Sequence, residues 1–164
     1  LAAIAYLKNK IQTQAIDIVV FLDADNSDVP SDIIKILKPF EKKEVMMVIG
    51  SRVLGEREKD ALLFHQKFGN LLATSLIKWL YGTHFTDLGP FRAVRWNALI
   101  SLNMQDIDFG WTVEMQVKVA KNKWSFVEVP VNYRKRLGKS KISGTFKGSI
   151  LAGYKILWTI FKLL

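Results

Sequence analysis

Apolar positions at Leu1, Ile4, Ala5 and Leu7 recur at helical spacing, so residues 1–15 are predicted to form a helix. The pattern then changes period. Residues 16–22 are an unbroken apolar run rich in β-branched side chains, as in a strand covered on both faces. Pro30 and Ser31 open a second helix running to Phe40, with Ser31 as its cap. VMMVIG (45–50) is a second buried strand, and SRVLGEREKD (51–60) is a charged loop. A long helix is predicted from Ala61 to Leu80, ended by Gly82. A Gly-Pro turn and a short strand fill 86–95, and helices follow at 96–103 and after Gly110. SFVEVPVNY alternates as a strand does, RKRLGKSKISG is a basic loop, and 145–164 is a last helix. Strands alternate with helices throughout. The predicted fold is α/β, one domain over 1–164, with a mostly parallel sheet between helices.

Composition changes that picture little. With 164 residues, 49% of them apolar, the chain can enclose a core. The absence of cysteine excludes disulfides and thiolate metal sites. Charge adds more: 24 Lys and Arg against 15 Asp and Glu leave +9, which favours anionic partners. No uncharged run reaches the roughly 20 residues a membrane span requires.

Against that charge, FLDADNSDVP (21–30) places carboxylates at the end of an apolar strand. Residues i and i+2 of a strand share a face, so Asp23 and Asp25 point the same way and repel unless a cation joins them. Ligands of open α/β sheets gather at the carboxyl ends of strands. Hard oxygen donors there suit Mg²⁺ or Mn²⁺ held jointly with substrate phosphates. Taken singly, an Asp-x-Asp pair reads as a turn former, with Asp28 helping to cap the next helix; the apolar strand before it brings the metal-site reading level with that one. Likewise RKRLGKSK, with five basic residues in eight, reads as a solvated loop or as an anion site. His65 and His84 have no partner at metal-ligand spacing, and the tryptophans Trp79, Trp96, Trp111 and Trp124 read as core or interface residues.

The ordered set VVFLDADNSDVP, VIGSR, GNLLATSLIKWLYG, TDLGPFRAVR, FGWTVEMQVKV and VEVPVNYRKRLGKSKISGT covers nearly the whole chain. It resembles the family-2 glycosyltransferases of GT-A fold, and among them the bacterial relatives of polyprenyl-phosphate (dolichyl-phosphate) mannosyl- and glucosyltransferases. The resemblance implies metal-dependent, inverting transfer of a hexose from a UDP- or GDP-linked donor to a polyprenyl phosphate. Asp25 then binds the metal and Asp23 lies near the nucleotide and the metal. Ser27 stands where some members have a metal-contacting Gln. Asp87 lines the acceptor side, and Glu114 lies on a helix behind the site. Arg136, Ser140 and Lys141 match a phosphate-handling loop, and Arg52 and Arg57 are phosphate contacts in the charged loop. The family's opening strand and Asn-Glu turn, which bind the nucleotide base, have no counterpart here. The resemblance therefore implies a domain truncated at its N-terminus, with part of the donor site outside this sequence.

A lipid-phosphate acceptor also gives the last helix a role. Lys147, Lys155 and Lys162 fall within about 80° of one another on a helical wheel, beside a broad apolar face. Such a helix lies on an anionic membrane or packs on its own domain. The implied localisation is cytoplasmic, peripheral at the membrane. A related transferase with another lipid or saccharide acceptor, and an inactive remnant, are the alternatives within the family. A basic nucleic-acid-binding module is the alternative outside it. Nucleic acid is not an expected partner, because no recognised binding signature is present and the aromatics sit in apolar runs.

Overall fold

The protein is described by a computed structural model. The structure describes residues 1–10, 16–138 and 146–164. In chain order the elements are α1 (Ala2–Lys10), β1 (Ile18–Phe21), α2 (Ile33–Leu37), β2 (Val45–Ser51), α3 (Phe64–Tyr81), β3 (Arg92–Arg95), α4 (Trp96–Ser101), α5 (Trp111–Lys121), β4 (Ser125–Pro130) and α6 (Phe146–Lys162).

The four described strands form one mixed sheet in the order β1-β3-β2-β4. β3 is antiparallel to both β1 and β2, and β2 is parallel to β4. Three strands therefore run the same way, with β3 reversed between two of them. Consequently the carboxyl ends of β1, β2 and β4 and the amino end of β3 meet at one edge of the sheet. β2 is buried along almost its whole length, as its apolar run predicts. Its neighbour β1 is only half-buried at all four positions, which corrects the expectation of a strand covered on both faces. A central strand has a sheet neighbour on each side, whereas β1 is the edge strand of the described sheet.

Two apolar clusters flank the sheet. Met47, Ile49 and Val94 on one face meet Ile77 of α3, Val113 and Val117 of α5, and Ile160 of α6. Val45, Val48 and Ala93 on the other meet Ile36, Phe40 and Val131. The expected helix 30–40 is broken into α2 with a 3-10 turn on each side. Pro39 causes the second break, since proline disfavours helix in the residue before it and lacks an N–H. Ser31 is not the cap: Val29 precedes the first turn, with Pro30 opening it. α3 ends on Gly82 in the left-handed region, φ 69°, where a side chain would be strained.

α6 is fastened at several points. The Tyr81 hydroxyl donates to the carbonyl of Ile160 at 2.5 Å. Lys155 pairs with Asp106 at 3.2 Å and Asp108 at 3.3 Å. Gly110 lets the helix approach, since a Cβ there would stand 2.5 Å from the Thr159 hydroxyl. The expectation that this helix packs on its own domain holds for part of its surface. One face packs on the core, with Lys155 ion-paired, and the other leaves Ile150, Leu151, Tyr154, Trp158 and Phe161 exposed.

Candidate functional site

Parallel β1 and β2 release the chain at the same edge of the sheet, so the acid loop after β1 and the arginine after β2 arrive together. The acid loop is shaped by its own side chains. Asp25 Oδ1 accepts the N–H of Ser27 at 2.9 Å and the Ser27 hydroxyl at 2.5 Å. Its other oxygen pairs with the guanidinium of Arg136. Burial pushes the Asp25 carboxyl up, but the Ser27 bonds and Arg136 outweigh it and leave its pKa below the usual value. Ser27 is fully buried, so in this arrangement its hydroxyl orients Asp25. Asn26 turns the loop with φ 67°, a conformation asparagine tolerates.

Asp23 and Asp28 are held differently. Asp28 is 1% exposed; its Oδ2 accepts the N–H of Asp23 at 3.1 Å, and its Oδ1 has no hydrogen-bond partner among the described residues. Burial raises its pKa to about 6, and the charges of Asp23 and Asp25 add to the rise. Asp23 is raised too, first by burial and then by Asp25, against the pull of Arg136 and Arg52.

The segment after β4 straps this loop down. Arg134 donates its N–H to the Ser27 carbonyl at 2.8 Å, and Leu137 to the Asp25 carbonyl at 2.9 Å. That is why Arg136, 111 residues from Asp25 in sequence, reaches its carboxylate. Ser140 and Lys141, from the same predicted loop, lie outside the described residues.

Arg52 and Asp87 form the other half of the site. The backbone N–H and Nε of Arg52 donate to Asp87 Oδ2, each at 2.8 Å, and Nη2 donates to Oδ1 at 2.7 Å. Such a fork-shaped pair fixes both side chains in direction as well as distance. Burial alone would lower the Arg52 pKa, but Asp87 and then Tyr133, whose ring lies 5.1 Å from the guanidinium carbon, carry it above the ordinary value. Beside Arg52, α3 and α6 enclose a cavity of about 250 Å³ whose lining mixes Gln66, Asn70 and Thr112 with Leu62, Leu88 and Ile156.

Two expected residues stand apart. Arg57 is exposed, its backbone bridged to Tyr133, and it makes no ion pair with a described residue. The Glu114 carboxylate accepts the N–H groups of Gln105 and Asp106 at 2.7–3.1 Å and pairs with Lys118 at 2.6 Å. It shares no partner with Asp23 or Asp25, and its contacts cap the 105–106 loop. His65 and His84 are both exposed, and His65 lines the cavity beside Arg52.

The sequence reading missed Asn70, Arg92, Gln116 and Glu128, which surround Asp87. Arg92 is fully buried and bonds the carbonyls of Leu88, Gly89 and Thr112. Burial lowers its pKa to about 10, which leaves it charged at neutral pH. The available signal was the polar residue at an otherwise apolar position: Arg92 beginning a strand, and Gln116 inside the apolar face of α5.

Whether a divalent cation suits this loop can be judged from its donors. Among the described residues no group of three acidic or histidine side chains could hold a metal by itself. The donors are carboxylate oxygens, including the Asp28 Oδ1 that no described residue bonds, and Arg136 already supplies positive charge at Asp25. This fits a cation shared between one or two carboxylates and a phosphorylated ligand, as Mg²⁺ is commonly bound, rather than an all-protein cage.

No family model matches the chain. It is similar to uncharacterized glycosyltransferases of Mycobacterium bovis and Mycobacterium tuberculosis, with 31% identity over 140 residues, 82% of this chain and 61% of those proteins. It is also similar to a UDP-N-acetylglucosamine–dolichyl-phosphate N-acetylglucosaminyltransferase of Methanococcus voltae, with 29% identity over 167 aligned positions, 99% of this chain and 64% of that protein. The chain thus spans less than two thirds of the length of these relatives.

Proposed function

We propose that this chain is the core of a family-2 glycosyltransferase that moves a sugar from a nucleotide-sugar donor to a polyprenyl phosphate. The observation that carries the reading is the meeting, at one sheet edge, of the acid loop with Asp23 and Asp25, the Arg52–Asp87 pair and Arg136. Its relatives' names support the same reaction class, and the one from Methanococcus voltae names a lipid phosphate.

Two anions must come together in such a transfer, so the chemistry asks for positive charge and position more than for a base. A phosphate oxygen of the acceptor is already anionic near neutral pH. It attacks the anomeric carbon as the bond from that carbon to the nucleoside diphosphate breaks, and inversion follows from the opposed faces of attack and departure. No proton needs to move. Asp23 and Asp25 would hold Mg²⁺ or Mn²⁺, which supplies neutralisation of the charge growing on the leaving diphosphate. Arg136 would pass from Asp25 to a phosphate once the cation and donor are bound. Arg52, held by Asp87, presents its charge toward the acceptor phosphate from the cavity between α3 and α6.

A lipid acceptor also accounts for the outer faces of these helices. Phe64, Phe68, Leu71, Leu72 and Trp79 of α3 are exposed beside the exposed apolar face of α6. Neither helix carries an acidic residue. Apolar side chains ringed by lysines suit an anionic membrane surface such as the cytoplasmic leaflet. No helix among the described residues is long and apolar enough to cross a membrane. The transferred sugar is a hexose in the primary reading. An N-acetylhexosamine is the second, favoured by the donor in the name of the Methanococcus voltae relative.

The test is an extraction assay with the complete gene product, polyprenyl phosphate, Mg²⁺ and labelled UDP-glucose, GDP-mannose or UDP-N-acetylglucosamine. Label from one donor should enter the organic phase and be lost with a chelator. Its absence with every donor would overturn the reading.

A further inference from the structure

The turn that carries Asp87 is held in an unusual way. A four-residue turn ordinarily satisfies its backbone through its own i to i+3 bond or through water. Here every backbone polar group of Thr86, Asp87 and Leu88, and the carbonyl of Gly89, is bonded by a side chain from elsewhere. Glu128 of β4 accepts the N–H of Thr86 at 2.9 Å and 3.0 Å, and that of Asp87 at 3.3 Å. Asn70 of α3 donates to the Thr86 carbonyl at 2.9 Å and accepts the Leu88 N–H at 2.8 Å. Gln116 of α5 donates to the Asp87 carbonyl at 2.9 Å. Arg92 of β3 donates to the carbonyls of Leu88, at 3.3 Å, and Gly89, and also to the Gln116 side-chain oxygen, at 3.2 Å.

We infer that Asn70, Arg92, Gln116 and Glu128 are positioning residues, a four-sided cradle that aims the Asp87 carboxylate at Arg52 and so places the Arg52 guanidinium for a phosphate. The inference rests on the reading that Arg52 serves the acceptor. Three features separate it from ordinary packing. First, the four side chains come from four different elements, so the turn is fixed against the whole domain rather than against one neighbour. Second, the cradle buries a charged side chain, Arg92, with only carbonyl and amide oxygens as partners, a costly placement that core packing alone does not call for. Third, all the fixed groups lie within two residues of Asp87, whose carboxylate is left with Arg52 as its partner. Groups held through a second set of hydrogen bonds keep their aim without reorganising when the ligand arrives, and small misplacements are costly in rate.

Two nearly isosteric variants test it. Gln116→Glu keeps the oxygen facing Arg92 and removes the donor to the Asp87 carbonyl. Asn70→Asp keeps the acceptor for Leu88 and removes the donor to Thr86. In the complete gene product each should raise KM for the polyprenyl phosphate about tenfold or more and lower kcat. KM for the nucleotide sugar should stay within about twofold. Activity that falls only in proportion to the folded fraction, with both KM values unchanged, would overturn the inference. Crystal structures of the two variants give a readout independent of turnover. A turned or displaced Asp87 carboxylate is expected, and an unmoved turn with the Arg52 fork intact would overturn the cradle. If the unaltered enzyme transfers no sugar to lipid, the proposed function fails, and the crystal structures alone decide on the cradle.

Discussion

The two halves of the site are built on opposite principles. Around Asp87 the hydrogen bonds of the turn are complete, supplied by four side chains, and the carboxylate is spent on one arginine fork. Around Asp25 the balance is open. Three carboxylates crowd a short loop, one buried oxygen has no partner among the described residues, two of the acids are raised and Arg136 stands in as the counter-charge. The finished half needs no ligand to hold its shape. The unfinished half would gain from any cation or cationic complex that enters it. In the proposed transferase, a rigid half facing the acceptor and an acid loop completed by its ligand would divide the work of binding and releasing a charged donor.

Catalysis gives the largest expected difference. Asp25→Asn should lower sugar transfer by about a hundredfold or more while thermal unfolding moves comparatively little, because Asp25 is part-exposed, the amide oxygen can still accept the Ser27 bonds, and the ion pair lost to Arg136 is solvent-accessible. Normal turnover in this variant would remove Asp25 from the metal and reverse the ranking of the two halves. The reverse behaviour is expected in the closed half. Arg92→Met leaves the carbonyls of Leu88, Gly89 and Thr112 without their donor and should cost about 3 kcal/mol or more in urea unfolding. A loss well under about 1 kcal/mol would mean that water replaces the guanidinium and that the turn is less closed than its bonds imply.

A third, smaller effect concerns Asp28. Its folded pKa lies at about 6, above the ordinary 3.8, so the folded state binds the proton more tightly than the unfolded chain. Stability conferred by that proton is present at acid pH and is lost as pH rises from about 4 through 6. Asp28→Asn removes the loss. With chelator present it should unfold about 1–3 kcal/mol later than the parent at pH 7.5 and show no such advantage near pH 4. A variant less stable than the parent at pH 7.5 would show that the acid loop is satisfied as it stands. The smallest effect on stability is expected far from both halves. Trp79→Gln on α3 should change folding by less than about 0.5 kcal/mol, yet weaken co-flotation with anionic vesicles. Unchanged flotation would leave the α3–α6 face without a lipid role.

Much of the architecture was legible because periodicity is local. The apolar runs at 16–22 and 45–50 are strands, Gly82 ends α3, and the Gly-Pro turn leads into β3 as expected. What failed was also local in origin. Ser31 has the side chain of a cap, but Pro30 opens the turn and puts the cap at Val29, two residues earlier. β1 has the composition of a buried strand, yet burial depends on neighbours that a single segment does not contain. In the site, Asp23, Asp25 and Arg136 stand out by type and pattern, and the structure brings them together. Glu114 is singled out by the resemblance alone, and its oxygens are taken by the 105–106 loop and Lys118.

The sequence by itself determined the alternation of strand and helix, the acid loop, the basic loop and the surplus of positive charge. Each follows from the order of side chains along a few consecutive residues. Only the tertiary structure decided that β3 runs backwards between β1 and β2, because strand pairing is settled by hydrogen bonds between segments far apart in the chain. It alone decided that Asn70, Arg92, Gln116 and Glu128 converge on one turn. Nothing in their local sequences refers to Asp87; the shared target exists only once four elements are packed around it, where an unpaired backbone group would be costly to bury.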